Sequence, residues 1–429
     1  MLLIYVDEVT ERLIYTLDFI FKDRGIYFKI TNDPMFFQQT DEIKLNYSTK
    51  SFENCVEISP ATILFDTGIF PYSISENRFE NEFCFAFDNV VDPFSSVFYV
   101  LTLMEEYVNN KRDEHDRFSA KFSVLQQFGI LQKAICDRWC MAIIQHIEQK
   151  LAISLNPWPI DVRIIPTFDI DNTYAFKWKQ NWRRFLSTVK DWMKKDHARL
   201  KRRNTVLKGL EKDPYDTFDQ MIEISKRGFD VHLFWLLGDY TKYDKNISSM
   251  DQRHKKLIYE MSQHVKVGLH PSYRSNEANF YLEREKFRID TILGNEVKFS
   301  RQHFLKLSLP VTYQNLIKKG FTDDFSMGFA DEIGFRAGTA RPFKFFDLSK
   351  NSATDYTIHP FAYMDGTIHE YKNWSIEESK VEIEKIYREV EKFGGDFICI
   401  WHNETIGNFS KWKGWTEVLD FTLNLSKKS

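Results

Sequence analysis

The stretch VRIIPTFDID (162–171) decides the fold class, because it joins a strand-forming apolar run to two carboxylates. Three later stretches have the same form, a β-rich run that ends in polar residues: VHLFWLLGDY (231–240), HVKVGLHPSY (264–273) and GDFICIWHNE (395–404). Long segments of helical character separate these runs. Strands that alternate with helices predict a parallel sheet or barrel. In such folds, reactive groups lie at the carboxyl ends of the strands.

The first part of the chain has a different character. LLIYV (2–6) and GIYFKIT (25–31) predict short strands, with an amphipathic helix between them. Aspartate, histidine and cysteine do not cluster in this part. We therefore predict two domains, an N-terminal α/β accessory domain over residues 1–155 and a catalytic barrel domain over residues 156–429.

Composition limits the classes of function. Hydrophobic residues make up 43% and charged residues 28% of the 429 residues, which favours well-packed cores over disorder. The 58 Lys and Arg against 61 Asp and Glu leave a net charge of −3, so no nucleic-acid partner is expected. Five scattered cysteines do not form a disulfide framework, and we interpret Cys136 and Cys140 as core residues.

The N-terminus reaches Asp7 and Glu8 before any long apolar run. It therefore resembles neither a signal peptide nor a transmembrane segment. We expect a cytoplasmic protein without a transmembrane segment.

The two carboxylates of TFDID (167–171) carry the first chemical signal. Residues two apart in a strand share a face, so Asp169 and Asp171 can project into one site. Two such carboxylates can divide their roles, one holding a metal and the other acting as general base. Alone the motif is weak, because an aspartate at a strand end also caps helices.

Histidine and arginine follow the later apolar runs. His270 and His402 each come directly after one, and Arg301 and His303 stand at alternate positions in FSRQHFLKL (299–307). Each histidine alone is more often structural than catalytic. Together with the two aspartates, these strand-end signals favour a metal hydrolase.

The order TFD-x-D, G-x-H, R-x-H and a late strand ending in His resembles the polysaccharide deacetylase superfamily (NodB homology, carbohydrate esterase family 4). DDFSMGFADEIGFRAGTARPFKFFDL (323–348) is similar to a branch of this superfamily from bacterial surface-polysaccharide loci, in which an extra N-terminal domain precedes the catalytic one. Residues 91–120 resemble the end of that extra domain. The resemblance implies an α/β fold: a distorted (β/α) barrel of the polysaccharide deacetylase type, preceded by a smaller α/β accessory domain.

The resemblance also implies an activity, the metal-dependent removal of an N- or O-acetyl group from a carbohydrate in cell-surface polysaccharide biosynthesis. Asp169 matches the catalytic base, and Arg301 matches the arginine that positions it. Asp171 and His270 match metal ligands. His402 matches the general acid that protonates the leaving group.

The sequence departs from the family pattern at one position. The second metal histidine is expected four residues after His270, and Arg274 stands there instead. Two ligands hold a metal weakly, so we predict His303 as the third ligand of one divalent metal. The alternative is that His303 binds substrate. Zinc is the predicted metal, and Mn, Co or Fe would also suit the site.

Two arginines are predicted to bind substrate, Arg274 and Arg336. The run GFRAGTARPF (334–343) lacks the Gly-Lys-Ser/Thr ending of a P-loop. Arg336 and Arg341 could bind an anionic sugar or a nucleotide-sugar phosphate. The alternative is that Arg336 is a buried partner of the catalytic acids.

The segment 177–203 holds 11 Lys and Arg against two Asp, with large apolar residues at helical spacing. A basic helix with tryptophan on its apolar side suits a membrane interface. The alternative is an insertion that packs on the barrel with a solvated basic face. Membrane contact would place the protein at the inner face of the membrane, with a lipid-linked glycan as its carbohydrate substrate.

Two other functions remain open at this stage. The first is a catalytically silent carbohydrate-binding protein on the same barrel. Arg274, in place of the expected metal histidine, favours this function, whereas the retained aspartates, histidines and Arg301 argue against it. A metal-dependent amidohydrolase acting on a small non-sugar amide is the second alternative.

Overall fold

The computed structural model describes residues 1–159, 161–179 and 181–427. The strands, in chain order, are β1 (Leu2–Val6), β2 (Phe28–Thr31), β3 (Ile43–Tyr47), β4 (Val56–Glu57), β5 (Ile74–Phe79), β6 (Glu82–Phe87), β7 (Val90–Val91), β8 (Val162–Ile170), β9 (His232–Leu236), β10 (Lys266–His270), β11 (Phe299–Ser300), β12 (Asp323–Asp324), β13 (Phe343–Asp347), β14 (Ser352–Ile358), β15 (Phe361–Met364) and β16 (Gly395–His402).

The α-helices follow the same chain order. They are α1 (Glu11–Ile20), α2 (Pro34–Gln39), α3 (Pro93–Leu101), α4 (Met104–Val108), α5 (Val124–Gln127), α6 (Ile135–Leu151), α7 (Asn181–Met193), α8 (His197–Leu207), α9 (Phe218–Lys226), α10 (Gln252–Ser262), α11 (Asn279–Leu293), α12 (Val311–Lys318), α13 (Ile376–Phe393) and α14 (Thr416–Leu423). Within the described ranges, none of these helices combines the length and the apolar character that a membrane span requires.

The N-terminal part is an α/β unit with two small sheets. A parallel sheet has the order β2-β1-β3-β4, and an antiparallel sheet has the order β5-β6-β7. All five residues of β1 are buried, as expected for a central strand covered on both faces. The strands and the helix predicted over residues 2–31 are therefore present.

The C-terminal part is built on a curled nine-stranded sheet of order β13-β14-β12-β11-β10-β9-β8-β16-β15. All neighbouring strands are parallel except β13 and β14. At the β15 edge, the Phe361 N–H donates to the carbonyl of Met327, which follows β12, over 3.0 Å. This bond brings the two sides of the sheet together into a distorted barrel. The predicted fold class, a distorted (β/α) barrel preceded by a smaller α/β unit, is confirmed.

The two parts share a continuous apolar core and a buried polar contact. The guanidinium of Arg336 donates to both carboxylate oxygens of Glu106 in α4, over 2.8 and 2.6 Å, and both side chains are 2% exposed. Nearby, the Cys136 N–H donates to the carbonyl of Gly338 over 2.8 Å. Gly338 has a φ of +64°, and a Cβ there would lie 2.8 Å from Val100, so the close approach requires glycine.

This contact corrects the prediction that Arg336 binds substrate. The ion pair with Glu106 uses its guanidinium, and Arg336 is buried between the two parts of the chain instead of lining the cavity at the carboxyl ends of the barrel strands. It is also not a partner of the catalytic acids. Cys136 and Cys140 are buried free thiols, in agreement with their interpretation as core residues.

Candidate metal centre and catalytic site

A cavity of about 200 Å³ opens at the carboxyl ends of the barrel strands. Aspartate and histidine reach it from β8, from β10, from the segment after β11 and from β16. The cavity is lined by Arg117, Asp169, Asp171, His270, Gln302, His303, Phe304, Leu305, Ala330, Met364, Asp365, Gly366, Glu370, Tyr371, His402, Glu404 and Trp412. All six catalytic and metal-binding residues predicted from the sequence contribute to this site: Asp169, Asp171, His270, Arg301, His303 and His402.

Asp171, His270 and His303 form a cluster suited to a metal ion. One ligand atom from each lies within 4.8 Å of the other two. The Asp171 Oδ1 lies 3.3 Å from the Nε2 of His270, and its Oδ2 lies 3.4 Å from the Nε2 of His303. Two histidines and a carboxylate are a common ligand set for a catalytic divalent metal with an open position.

The hydrogen bonding of His270 leaves one ring nitrogen available as a ligand. Its Nδ1 lies 2.6 Å from the backbone carbonyl of Arg301. A carbonyl oxygen only accepts, so Nδ1 carries a proton, and Nε2 is the ring nitrogen that faces Asp171. Asp171 Oδ1 is buried and accepts no hydrogen bond within the described part of the chain. A buried carboxylate oxygen without a hydrogen-bond partner, beside an imidazole nitrogen that can act as a ligand, fits a bound cation.

His303 is oriented by a residue that the sequence did not indicate. Its Nδ1 lies 2.9 Å from Oδ1 of Asp244, a fully buried carboxylate that also accepts the Tyr273 N–H over 2.8 Å. Desolvation alone would lower the pKa of His303, but Asp171 and Asp244 raise this pKa to about 9. A carboxylate behind the imidazole is the usual support of a metal-bound histidine.

Asp239 is the first carboxylate after β9, in the stretch 231–240, but it does not belong to the metal cluster. Asp239 pairs with Arg284 and Arg288 of α11 and does not line the cavity. Asp244 takes its place, from the loop beyond β9. No periodic pattern marks a position in such a loop, so Asp244 could not be identified from the sequence.

Asp169 is held by a buried arginine. The Nη1 of Arg301 donates to Asp169 Oδ1 over 2.8 Å, and its Nε donates to the carbonyl of Phe325 over 2.9 Å. The guanidinium lies over the ring of Phe234, 4.4 Å from its centroid. Asp169 Oδ2 lies 3.7 Å from the Nε2 of His270. One carboxylate oxygen is thus fixed by Arg301, and the other faces the metal cluster.

His402 stands beside Asp169, because the two residues are direct partners in the pairing of β16 with β8. Its Nδ1 lies 2.8 Å from Oδ1 of Asp365, a fully buried carboxylate that also accepts the backbone N–H of His402 and the hydroxyl of Thr405. Its Nε2 lies 3.8 Å from Asp171 Oδ2. Desolvation alone would lower the pKa of His402, but Asp365, Asp171 and Asp169 raise it well above its usual value.

Aromatic side chains and one arginine form the walls of the cavity. Phe304 follows His303 with a φ of 61°, a left-handed conformation that is rare for a bulky residue and is found mostly at functional sites. Tyr371 and Trp412 line the cavity as well. Arg117 contributes from the N-terminal part: it donates to the carbonyl of Phe304 over 2.8 Å and to the hydroxyl of Tyr371 over 3.3 Å.

Arg274, which the sequence predicts to bind substrate, does not line the cavity. Its side chain is 44% exposed, pairs with Glu277 over 3.5 Å and lies over the ring of Tyr281. The position that would carry the second metal histidine therefore points away from the metal cluster, and His303 occupies the cluster instead.

Comparison with known proteins gives one match to a protein family and several distant similarities to solved structures. Residues 2–152 match DUF7033, a family of unknown function. No curated protein matches the chain. A polysaccharide deacetylase, described as putative, from Mycobacterium smegmatis is 12% identical with a TM-score of 0.41, covering 62% of this chain and 86% of that one.

Two further solved structures show similar levels of likeness. A family 4 carbohydrate esterase from Streptomyces lividans, in complex with acetate, is 10% identical with a TM-score of 0.30, covering 63% of this chain and 91% of that one. A pseudoenzyme of the same esterase family from Bacillus anthracis is 12% identical with a TM-score of 0.29, covering 65% and 68%. At these values the likeness carries no inference about the reaction, which depends on the geometry of the cavity.

Proposed function

We propose that the protein is a metal-dependent hydrolase that removes an acetyl group from a carbohydrate. The observation that carries the proposal is the placement of two kinds of groups around one cavity. Asp171, His270 and His303 offer ligands for a cation, while Asp169 and His402, each held by its own buried partner, stand next to them. Ligands, a base and an acid are the parts that hydrolysis of an acyl group requires.

The cation would be held by Asp171, His270 and His303. A bound divalent metal supplies Lewis acidity, which polarises a carbonyl group and lowers the pKa of a water molecule. Zinc suits two imidazoles and a carboxylate, and Mn, Co and Fe are also compatible with these ligands.

Asp169 is the proposed general base. Arg301 binds one of its carboxylate oxygens and keeps the side chain in a single orientation. The second oxygen faces the cavity beside His270, where it can take the proton of the water that attacks the acetyl carbon. Arg301 is a positioning residue in this scheme.

His402 is the proposed general acid. The pKa of its imidazole is raised, mainly by Asp365, which favours the protonated ring. Since Nδ1 donates to Asp365, the Nε2 proton points into the cavity and can be given to the leaving amine or alcohol.

The walls of the cavity support a sugar as substrate. Phe304, Tyr371 and Trp412 offer aromatic surface, and the carboxylates of Glu370 and Glu404 offer acceptors for hydroxyl groups. The place of the reaction in cell-surface polysaccharide biosynthesis, on the cytoplasmic side, is a proposal carried by the resemblance of residues 323–348 alone.

Elemental analysis of the purified protein by mass spectrometry tests the metal centre. We expect about one metal per chain in the wild type and its loss in Asp171→Ala, His270→Ala and His303→Ala. His264→Ala, an exposed histidine outside the cavity, is the matched control and should retain the metal. No metal in the wild type after incubation with Zn, Mn, Co or Fe would favour the catalytically silent binding protein.

Release of acetate tests the reaction. We expect the metal-loaded wild type to release acetate from acetylated oligosaccharides, and both N-acetylated and O-acetylated substrates should be compared. Asp169→Asn should abolish release while retaining the metal. A metal-loaded protein that hydrolyses small non-sugar amides but no acetylated sugar would support the amidohydrolase alternative instead.

A further inference from the structure

The helical hairpin formed by α7 and α8 exposes its apolar side to solvent. Residues 181–203 of the segment 177–203 belong to this hairpin, which continues to Leu207, and Gln180 lies outside the described residues. Four large apolar side chains of α7 are more than half exposed: Phe185 (67%), Leu186 (56%), Trp192 (68%) and Met193 (71%). Trp182, on the same side of the helix, is half exposed and touches the ring of Tyr240. Most of the apolar side of α7 is therefore exposed instead of packed on the barrel.

The orientation of α7 is fixed by polar contacts on its other side. Arg203 of α8 is 4% exposed, and its guanidinium donates to the hydroxyls of Ser187 and Thr188 and to the carboxylate of Asp191. Arg183 donates to the backbone carbonyl of Asn246 over 2.7 Å. Rotating the helix to bury its apolar side would break these bonds and leave Asp191 and Arg203 without partners.

Positive charge surrounds the apolar side. The segment 177–203 holds 11 Lys and Arg against two Asp. A groove of about 510 Å³ runs along α7, and its cationic lining residues are Lys179, Arg183, Lys190, Lys194, Arg199 and Lys245. Desolvation and the positive charge of Arg183 lower the pKa of Lys179 to about 8. The cations of this groove outnumber its two carboxylates, Asp191 and Asp196, and an external anion would relieve their repulsion.

We propose that the α7–α8 hairpin docks on the surface of an anionic phospholipid bilayer. Phe185, Leu186, Trp192 and Met193 would enter the boundary between headgroups and acyl chains, and the lysines and arginines beside them would contact the lipid phosphates. Large aromatic and apolar side chains next to a dense basic surface are the features of a helix that lies in a membrane interface.

Charge complementarity favours a bilayer over the other occupants of such a surface. A second copy of the chain would bring two basic grooves together and add to their repulsion. A nucleic acid would neutralise the basic side chains but would leave the exposed apolar stripe of α7 in water. An anionic bilayer would neutralise the basic side chains and also bury the apolar stripe of α7.

The docking surface lies close to the catalytic cavity. Asn172, the neighbour of Asp171 in the chain, lines the basic groove. A membrane-docked hairpin would therefore place the cavity near the bilayer, where a lipid-linked glycan could reach it. The membrane proposal itself does not depend on the proposed reaction.

Vesicle co-sedimentation of the full chain tests the proposal. We expect the wild type to pellet with vesicles of equimolar phosphatidylcholine and phosphatidylglycerol, and to stay in the supernatant with vesicles of phosphatidylcholine alone. Phe185→Ser/Trp192→Ser should lower the partition coefficient at least about tenfold, because two large apolar side chains no longer enter the bilayer. Lys190→Glu/Lys194→Glu should lower binding as well, and added salt should weaken it.

Phe36→Ser is the matched control, because Phe36 is an exposed phenylalanine (52%) on a helix of the N-terminal part. It should bind vesicles like the wild type. Thermal denaturation should show that Phe185→Ser/Trp192→Ser stays folded, since both side chains are exposed. Absence of binding to anionic vesicles, or binding unchanged in Phe185→Ser/Trp192→Ser, would overturn the proposal. Self-association in analytical ultracentrifugation that this variant abolishes would assign the surface to a second copy instead.

Discussion

The Nδ1 of His303 lies 2.9 Å from Oδ1 of Asp244, and this contact determines which nitrogen of His303 can act as a ligand. A carboxylate only accepts, so Nδ1 holds a proton and Nε2 faces Asp171. His270 has the same arrangement through the carbonyl of Arg301. In both histidines, the hydrogen bond at Nδ1 thus orients the ring so that Nε2 faces Asp171.

Removal of the Asp244 charge should weaken metal binding. In Asp244→Asn the support behind His303 loses its charge, and we expect the affinity for a divalent metal to fall about 10–100-fold. Competition with a chelating dye would measure this affinity. Asp239→Asn, which changes a carboxylate of the same loop that does not line the cavity, is the control. Equal affinities in both variants would contradict the role of Asp244.

Metal binding should depend on pH through His303. The pKa of this imidazole is raised to about 9 by Asp171 and Asp244, against the desolvation that would lower it. A proton and a metal compete for Nε2, so metal affinity should rise as pH increases toward about 9. Isothermal titration at several pH values measures this dependence, and an affinity independent of pH between 6.5 and 9 would contradict the assignment.

The same raised pKa gives the metal-free protein a pH-dependent stability. A group with a raised folded-state pKa stabilises the fold below its unfolded-state pKa of 6.5, and this contribution is lost as pH rises through about 9. The free energy of unfolding of chelator-treated protein should therefore contain a component that declines over this range. In His303→Gln this component should be missing, and urea titrations of both proteins would show the difference.

Strand-end signals in the sequence indicated residues that the structure places around one cavity, because these signals depend only on local order. Asp169, His270 and His402 each follow or end an apolar run, and a parallel sheet brings such positions to one edge. Asp244 and Asp365 were not assigned because their contacts depend on loop paths and on strand pairing. Their partners are remote in the chain, 59 residues away for Asp244 and 37 for Asp365.

Contacts between the two parts of the chain could not be predicted from the sequence either, because their partners are also remote in the chain. Arg336 stands in a polar, glycine-containing loop that is also compatible with anion binding, and only the fold reveals its partner Glu106, 230 residues earlier. The apolar spacing of α7 correctly predicted an amphipathic helix. It could not predict which side of that helix packs against α8, because this is decided by the contacts of Arg203.

Loss of the Arg336 charge should destabilise the fold without affecting the reaction. Arg336→Met leaves Glu106 buried without its partner, which should cost about 3–5 kcal/mol of unfolding free energy. The double variant Glu106→Gln/Arg336→Met should recover part of this loss. Urea denaturation measures both, and acetate release per folded molecule should stay at the wild-type level, since neither residue lines the cavity. A selective loss of substrate binding in Arg336→Met would restore the earlier prediction that Arg336 binds substrate.

The pH dependence of catalysis should reveal the support of His402 by Asp365. This carboxylate is the main reason that the pKa of His402 is raised. In Asp365→Asn the imidazole should lose its proton at lower pH, so the alkaline limb of the kcat/KM profile should move toward lower pH. His402→Ala should lower kcat with KM little changed. Asp355→Asn, an exposed carboxylate on β14, is the control and should keep the wild-type profile.

Arg117 should affect substrate binding more than chemistry, although it belongs to the N-terminal part of the chain. Its guanidinium holds the carbonyl of Phe304 and the hydroxyl of Tyr371, and so connects two walls of the cavity. In Arg117→Ala both walls lose this connection, and we expect KM to rise about 10-fold with kcat changed less, since Asp169 and His402 keep their own partners.

Arg112→Ala is the matched control for Arg117→Ala. Among the described residues, Arg112 donates to backbone carbonyls within residues 106–111, and it does not line the cavity, so its loss should leave KM unchanged. Steady-state kinetics of acetate release by both variants, with metal content verified, would separate the two effects. An equal rise of KM in both would mean that the N-terminal part acts only through stability. A rise confined to Arg117→Ala would mean that this part helps to form the substrate site.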